Sequence, residues 1–377
     1  MLYVRAAQRR LEESEGKGNT EYMYIIVAIA LFGFLIAAHE WGHFMAARIC
    51  GVTVHEFAIG MGPVLWQREG RKGTVFSLRA LPIGGFCAME GEEEESDDPH
   101  SLSNQGFWKK LLVFAAGALM NLLVGFALIL LLNMGVEAFR TAEITAFAPE
   151  FTLRGEEGLL EGDVLYSING HRIYIFSDVN LFLSRSGGSG FDLVVLRNGE
   201  KIVLDDFPMV LQECTDSQSG QKYTGYGLYF GGVEEATAGV KLRMTWLNGV
   251  DFVRIVFYSL GEILRGSAGM NDLSGPIGIV STISQVGQES PTVMAGLMNV
   301  AYFGAMIAMN LAVFNLLPIP ALDGGHICFL AVSTLWEKVS GRKIPMRYET
   351  AINGLFFVLL LSLMAFVALN DVRKLIG

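Results

Sequence analysis

Charge is scarce in this chain. Only 18% of its 377 residues are Asp, Glu, Lys or Arg, against about 25% in a soluble globular domain, and 51% are hydrophobic. That balance argues against a water-soluble globule. A basic face is missing as well: the formal net charge is −10 and the lysines and arginines are scattered, mostly beside apolar runs, which argues against nucleic acid as a partner. The four cysteines, Cys50, Cys87, Cys214 and Cys328, show no CxxC spacing, so neither a zinc ribbon nor a disulfide framework is indicated. A cleavable signal peptide is also lacking. Residues 1–22 are polar and mixed in charge and read as a disordered extension, with Met23 an alternative start. Much of the excess acid sits in Glu90 to Asp98 (EGEEEESDD), a solvated loop.

What the chain does have is long apolar runs. Crossing a bilayer takes about 20 apolar residues in a helix, and four stretches qualify: 23–50, 111–134, 293–335 and 352–370. The third is broken in its centre by NLLPIPALDGGH (Asn315 to His326). Such a break is tolerated only where the backbone packs in protein or lines a cavity. Residues 51–110 contain short β-type runs such as Thr74 to Leu78 between Gly and Pro turns, which predicts a small sheet of hairpins followed by a loop. Residues 140–235 alternate apolar and polar positions and carry Asn198-Gly199 after Phe191 to Arg197, predicting a mostly-β soluble domain with a hairpin there. The 242–292 segment, with polar interruptions at Asn248, Asp251, Arg254 and Glu262, reads as an interfacial helix and linker. Arg48, Lys109 and Lys110 flank one side of the first two spans, and Lys338, Arg342, Lys343 and Arg347 fill the last short loop. The positive-inside rule therefore places both loops in the cytoplasm, and the soluble domain and both termini outside.

Ionisable groups inside a span are costly and mark function. The first span ends in His39-Glu40-Trp41-Gly42-His43. HExxH on a helix sets two imidazoles on one face as zinc ligands, here His39 and His43, and leaves the glutamate, Glu40, beside the open coordination position as a general base. A catalytic zinc takes three protein ligands. Asp323, the one acid in the apolar part of the third stretch, is the leading candidate for the third, and His326, three residues on, competes with it. Asn121, at depth in the second span, reads as a helix-packing hydrogen bond.

These motifs resemble the site-2 protease family of intramembrane zinc metalloproteases. Beside HEWGH the resemblance rests on FAIGMGPVLW (Phe57 to Trp66), RALPIGGF (Arg79 to Phe86), AGALMN (Ala116 to Asn121), GPIGI (Gly275 to Ile279) and LDGG within NLLPIPALDGG. It departs from the family pattern at Ala118, where AGP is usual. The resemblance implies a polytopic α-helical membrane protein of four transmembrane helices with a reentrant β-hairpin region. It implies one Zn2+ per chain held by His39, His43 and Asp323, with Glu40 as catalytic base. Asn315, Pro318 and Pro320 would line an unwound segment that holds substrate extended. The 140–235 region resembles a single PDZ domain, through GLLEGDVLYSINGHRI (Gly158 to Ile173) and RNGE (Arg197 to Glu200), placed outside the membrane. The substrates implied are single-span membrane proteins such as anti-sigma factors or remnant signal peptides, cut after a first protease, in the lipid of a bacterial plasma membrane. The rival readings are a transporter using intramembrane His and Asp as an ion path and a catalytically silent PDZ scaffold. Glu40 separates them, since neither rival needs a base beside a metal.

Overall fold

The computed structural model describes residues 2–92, 94–185, 190–215, 220–266 and 275–376. The chain divides into two compact units, residues 1–132 with 252–377, and residues 133–251.

The first unit is helical. Among the described residues four helices are long and apolar enough to cross a membrane: Tyr22–Cys50, Phe107–Met134, Val293–Leu316 and Met346–Lys374. In hydrocarbon a helix satisfies its own backbone polar groups, which is why such runs adopt it. The first span belongs to α1 (Leu2–Cys50), which is helical back through the segment expected to be disordered. The second is α2 (Phe107–Met134). After α4 (Ala238–Leu264), whose residues 238–251 belong to the second unit, and the short α5 (Pro276–Gln288), the third span is α6 (Val293–Leu316). It is followed by a separate helix, α7 (Asp323–Ser340), and the last span lies in α8 (Met346–Ile376).

The 293–335 stretch, read from sequence as one span with an irregular centre, is thus two helices, and the membrane-length part ends at Leu316. The cause is local. Pro318 bars the helical region to the residue before it, and Leu317 is extended with ψ 145°. The chain re-enters a helix only at Asp323, after Ala321 adopts φ +70°.

Between α1 and α2 lies a long hairpin, β1 (Val54–Glu69) and β2 (Val75–Met89). It folds back on itself. Ser77 pairs with both Ala58 and Gln67, while Phe86 also pairs with Ala58, so two strands make four sheet segments. The bends use glycine in the left-handed region, Gly60 at φ +87° and Gly84 at φ +85°, where a side chain is disfavoured. The segment from Gly85 to Met89 pairs with β1 along one edge only among the described residues.

Buried Phe44, Ala47, Phe57, Cys87 and Val113 join α1, the hairpin and α2 in one core cluster. A second cluster, around Tyr24, Leu35, Ile283 and Ile307, joins α1 to α5 and α6.

The second unit is mostly β. Its central sheet has the order β6-β5-β7-β8, formed by β5 (Val164–Ile168), β6 (His171–Arg172), β7 (Phe191–Arg197) and β8 (Glu200–Phe207). The β7–β8 turn is Asn198-Gly199, both at positive φ, the conformation that makes Asn-Gly a hairpin signal. Six further strands form three antiparallel pairs, β3 (Ala138–Arg140) with β12 (Val233–Glu235), β4 (Ile144–Phe147) with β11 (Leu228–Phe230), and β9 (Gln212–Thr215) with β10 (Lys222–Gly225). One helix, α3 (Phe176–Arg185), buries Val179, Phe182 and Leu183. Asp163 is buried beneath this unit's loops and paired with Arg197 at 2.8 Å; the side-chain hydrogen bond from Arg197 raises that guanidinium above its ordinary pKa.

Candidate metal centre

His39 and His43 stand one turn apart on α1, their Nε2 atoms 3.2 Å from each other. Close approach of α1 and α2 makes room for them. A Cβ on Gly42 would lie 2.3 Å from the Ala116 carbonyl oxygen, and one on Gly117 would lie 2.3 Å from His43 Nε2 and 2.7 Å from His39 Nε2. Gly117 is therefore the floor of a hollow that only glycine leaves open. Ala118, the departure from the family pattern, is wholly buried in α2.

The third group comes from the far end of the chain. Asp323 opens α7, and its Oδ2 and Oδ1 lie 3.4 Å from His39 Nε2 and His43 Nε2 respectively. The turn that delivers it needs both following glycines. A Cβ on Gly324 would sit 2.1 Å from the Leu317 carbonyl, and one on Gly325 2.4 Å from that of Ile319.

Hydrogen bonds on the outer ring atoms set the tautomers. His43 Nδ1 lies 2.8 Å from the Val113 carbonyl oxygen, which only accepts, so Nδ1 carries the proton and Nε2 keeps its lone pair. His39 Nδ1 has the side-chain amides of Asn121 and Asn315 each 3.4 Å away. Asn121 Oδ1 is buried without a partner; turning that amide over places the oxygen at Nδ1 as an acceptor, and Nε2 of His39 then also presents a lone pair. Two imidazole lone pairs and a carboxylate converge, all within 4.8 Å, and Asp323 Oδ2 is buried with no hydrogen-bond partner. Such a cluster is electrostatically incomplete without a cation. Two nitrogens and one oxygen with a free fourth direction suit a catalytic zinc.

Glu40 lies beside this cluster on α1, and a Cβ on Gly85 would come 3.2 Å from its Cγ. Together with His39, His43 and Asp323 it lines a cavity of about 740 Å³ whose opposite wall is the Phe86 to Glu90 segment. The acidic loop adjoins that wall, and Glu90 is bonded to His55 and to Ser96, which hold its carboxyl below the usual carboxylate range.

The structure brings His39, Glu40, His43, Asp323 and Asn315 together and leaves Pro318 and Pro320 in the loop leading to Asp323. It does not bring in His326, whose Nδ1 is 2.9 Å from Glu349 Oε1 and whose ring stacks on Phe114. The sequence reading missed Gly117 and the contact of Asn121 with His39. Their spacing of four residues on α2, which puts both on one face, is the signal that could have found them.

Residues 27–363 match the profile of Peptidase family M50. The chain is 34% identical over 93% of its length to a protein of Clostridium perfringens provisionally named a zinc metalloprotease, covering 98% of that relative. It is 30% identical to a similarly named protein of Nostoc sp., over 94% of its own length and 97% of the relative's. With the zinc metalloprotease RasP of Shouchella clausii it shares 27% identity over 93% of this chain and 99% of that one.

Proposed function

Because this chain belongs to peptidase family M50, the site-2 protease family, and is a multi-pass membrane zinc metalloprotease, we propose that it cuts the transmembrane segments of single-span proteins at His39, Glu40, His43 and Asp323. The observation that carries the reading is the convergence of His39, His43 and Asp323, three donors from helices at opposite ends of the chain, next to a carboxylate that is not part of the set. His39, His43 and Asp323 hold one Zn2+. When bound, zinc supplies Lewis-acid polarisation of a peptide carbonyl and lowers the pKa of water.

Glu40 takes the proton of the attacking water and passes it to the leaving amide nitrogen, as a general base and then acid. The Val113 carbonyl and the Asn121 amide hold the two imidazoles in the tautomer that donates from Nε2.

A helical substrate hides its carbonyls in its own hydrogen bonds, so it has to unwind, and its freed backbone groups then need partners. Two features supply them. The Gly85 to Met89 segment has no second strand partner among the described residues, lines the Glu40 cavity and accepts an extended chain by strand addition. The proline-broken loop after Asn315, with Pro318 and Pro320, has backbone outside any helix. In this reading the hairpin is a membrane-reentrant element, and its exposed apolar tip, with Leu65, Trp66 and Leu81, supports that placement.

The substrates are shortened by a prior cut, in the manner of anti-sigma-factor-like proteins or remnant signal peptides. The 140–235 region serves as a PDZ domain outside a bacterial plasma membrane, on the same side as both termini, and excludes large ectodomains with some contact to peptide. The β-rich fold with one short helix supports this assignment.

The test is metal removal. Stripping zinc from the detergent-solubilised protein with a chelator abolishes cleavage of a tagged single-span substrate, and adding zinc back restores it. Undiminished cleavage by the stripped protein would overturn the reading.

A further inference from the structure

The last span is the least packed. Only 6% of the most apolar window of α8 is buried, against 17%, 33% and 44% in the other three spans. Yet near its start α8 makes two specific polar contacts with one short segment. Asn353 Oδ1 accepts from the Ala321 backbone N–H at 3.1 Å, and Glu349 Oε1 lies 2.9 Å from His326 Nδ1. Glu349 and Asn353 are four residues apart and so share one face of the helix. Their partners lie two residues before and three residues after Asp323.

Both contacts fall where the backbone needs holding. Ala321 has φ +70°, a conformation that is strained for a residue with a Cβ and persists only where its surroundings impose it. His326, pulled by Glu349, stacks on Phe114 with ring centroids 5.2 Å apart. Phe114 follows Val113, whose carbonyl orients His43. One face of α8 thus reaches the third ligand by the backbone before it and, through His326 and α2, the helix segment that sets the second.

We infer that Glu349 and Asn353 are positioning residues, a polar bracket at the start of a helix whose apolar stretch is mostly exposed, and that this bracket fixes the place of Asp323 at the metal centre. The inference rests on Asp323 being the third ligand. A plain structural tie between α8 and the bundle makes a different prediction: losing it lowers the stability of the metal-free protein and leaves metal binding by the folded fraction alone. A bracket acts on the ligand geometry.

The experiment uses the full chain in detergent, with Glu349→Leu, Asn353→Leu, Glu349→Gln and Asp323→Asn, and Leu359→Ala as a control on the exposed part of the same helix. Zinc affinity is measured by competition with a chromophoric chelator, ligand geometry by the visible absorption of the Co2+-loaded protein, and folding by thermal unfolding of the metal-free form. Asp323→Asn and both leucine variants are expected to weaken zinc binding, the latter by about 10- to 100-fold as for outer-shell partners elsewhere, with an altered cobalt band and unchanged metal-free unfolding. Glu349→Gln keeps an acceptor for the His326 N–H and is expected to stay close to wild type, as is Leu359→Ala. Wild-type zinc affinity and cobalt spectrum in both leucine variants, with Asp323→Asn weakened, would refute the bracket and leave the ligand assignment standing. Wild-type affinity in Asp323→Asn would refute the assignment itself. Loss of metal only in step with loss of metal-free stability would also refute the bracket.

Discussion

His43 Nδ1 donates to the backbone carbonyl of Val113 at 2.8 Å, and this single contact decides which nitrogen of His43 faces Asp323. A backbone acceptor cannot be exchanged by mutation. It makes α2 a rigid part of the site and not only its neighbour, and the hollow at Gly117 depends on the same close approach.

Gly117→Ala therefore tests that approach. The added methyl would meet His43 Nε2 and His39 Nε2 at 2.3 and 2.7 Å, so α1 and α2 have to part or the imidazoles turn away. Overpacking of this kind costs about 1–3 kcal/mol of stability. Zinc content after dialysis is expected to fall well below that of wild type, and a variant with full zinc content would show that the helices yield freely.

Asn121→Ala removes the buried amide beside His39 Nδ1. Zinc affinity, measured by chelator competition, is expected to drop about 10- to 100-fold. Asn121→Asp, which still offers an oxygen to Nδ1, is expected to recover part of it. Equal loss in both variants would mean that the amide serves helix packing alone.

Asn315 sits at the same nitrogen and at the start of the broken segment. Asn315→Leu is expected to slow cleavage of a tagged transmembrane substrate about tenfold or more, as removal of one hydrogen bond to a charged or reacting group costs roughly 1.5–3 kcal/mol. An unchanged rate would remove Asn315 from the substrate path.

In the other unit, Arg197→Met would strip the partner from Asp163, whose side chain is 1% exposed. Arg197 is itself partly exposed, so the loss is that of a hydrogen bond to a charged group, about 1.5–3 kcal/mol. Arg197 also donates to the Glu156 and Gly158 carbonyls, so loosening of the Gly155 to Leu159 loop should accompany the loss, read as faster amide hydrogen exchange there. Unchanged exchange would show the pair to be dispensable.

How legible the site was depended on sequence distance. HEWGH could be read at once, because an i, i+4 pair on a helix is a local pattern and ionisable residues in an apolar run stand out. Asp323 was legible as the one acid in its run, while the choice against His326 needed the structure: both lie on the same turn of α7, and only the fold turns one to the histidines and the other to Glu349. The Asn198-Gly199 hairpin was likewise local. Glu349 and Asn353 were not legible, since their contacts cross 23 and 32 residues of chain to α7 and to the loop before it, and Glu349 precedes the apolar run. Nor was the splitting of the third stretch, because α7, once past Asp323 and His326, continues largely apolar from Ile327 to Trp336 and turns charged only at Glu337 and Lys338.

In the proposed mechanism Glu40 transfers a proton beside a metal it does not bind. The most direct measurement compares wild type and Glu40→Gln for cleavage of a tagged single-span substrate and for bound zinc. The variant is expected to keep about one zinc per chain, as three protein ligands suffice, while cleavage falls by about 10²- to 10⁴-fold. Zinc-loaded Glu40→Gln cleaving at the wild-type rate would contradict that mechanism.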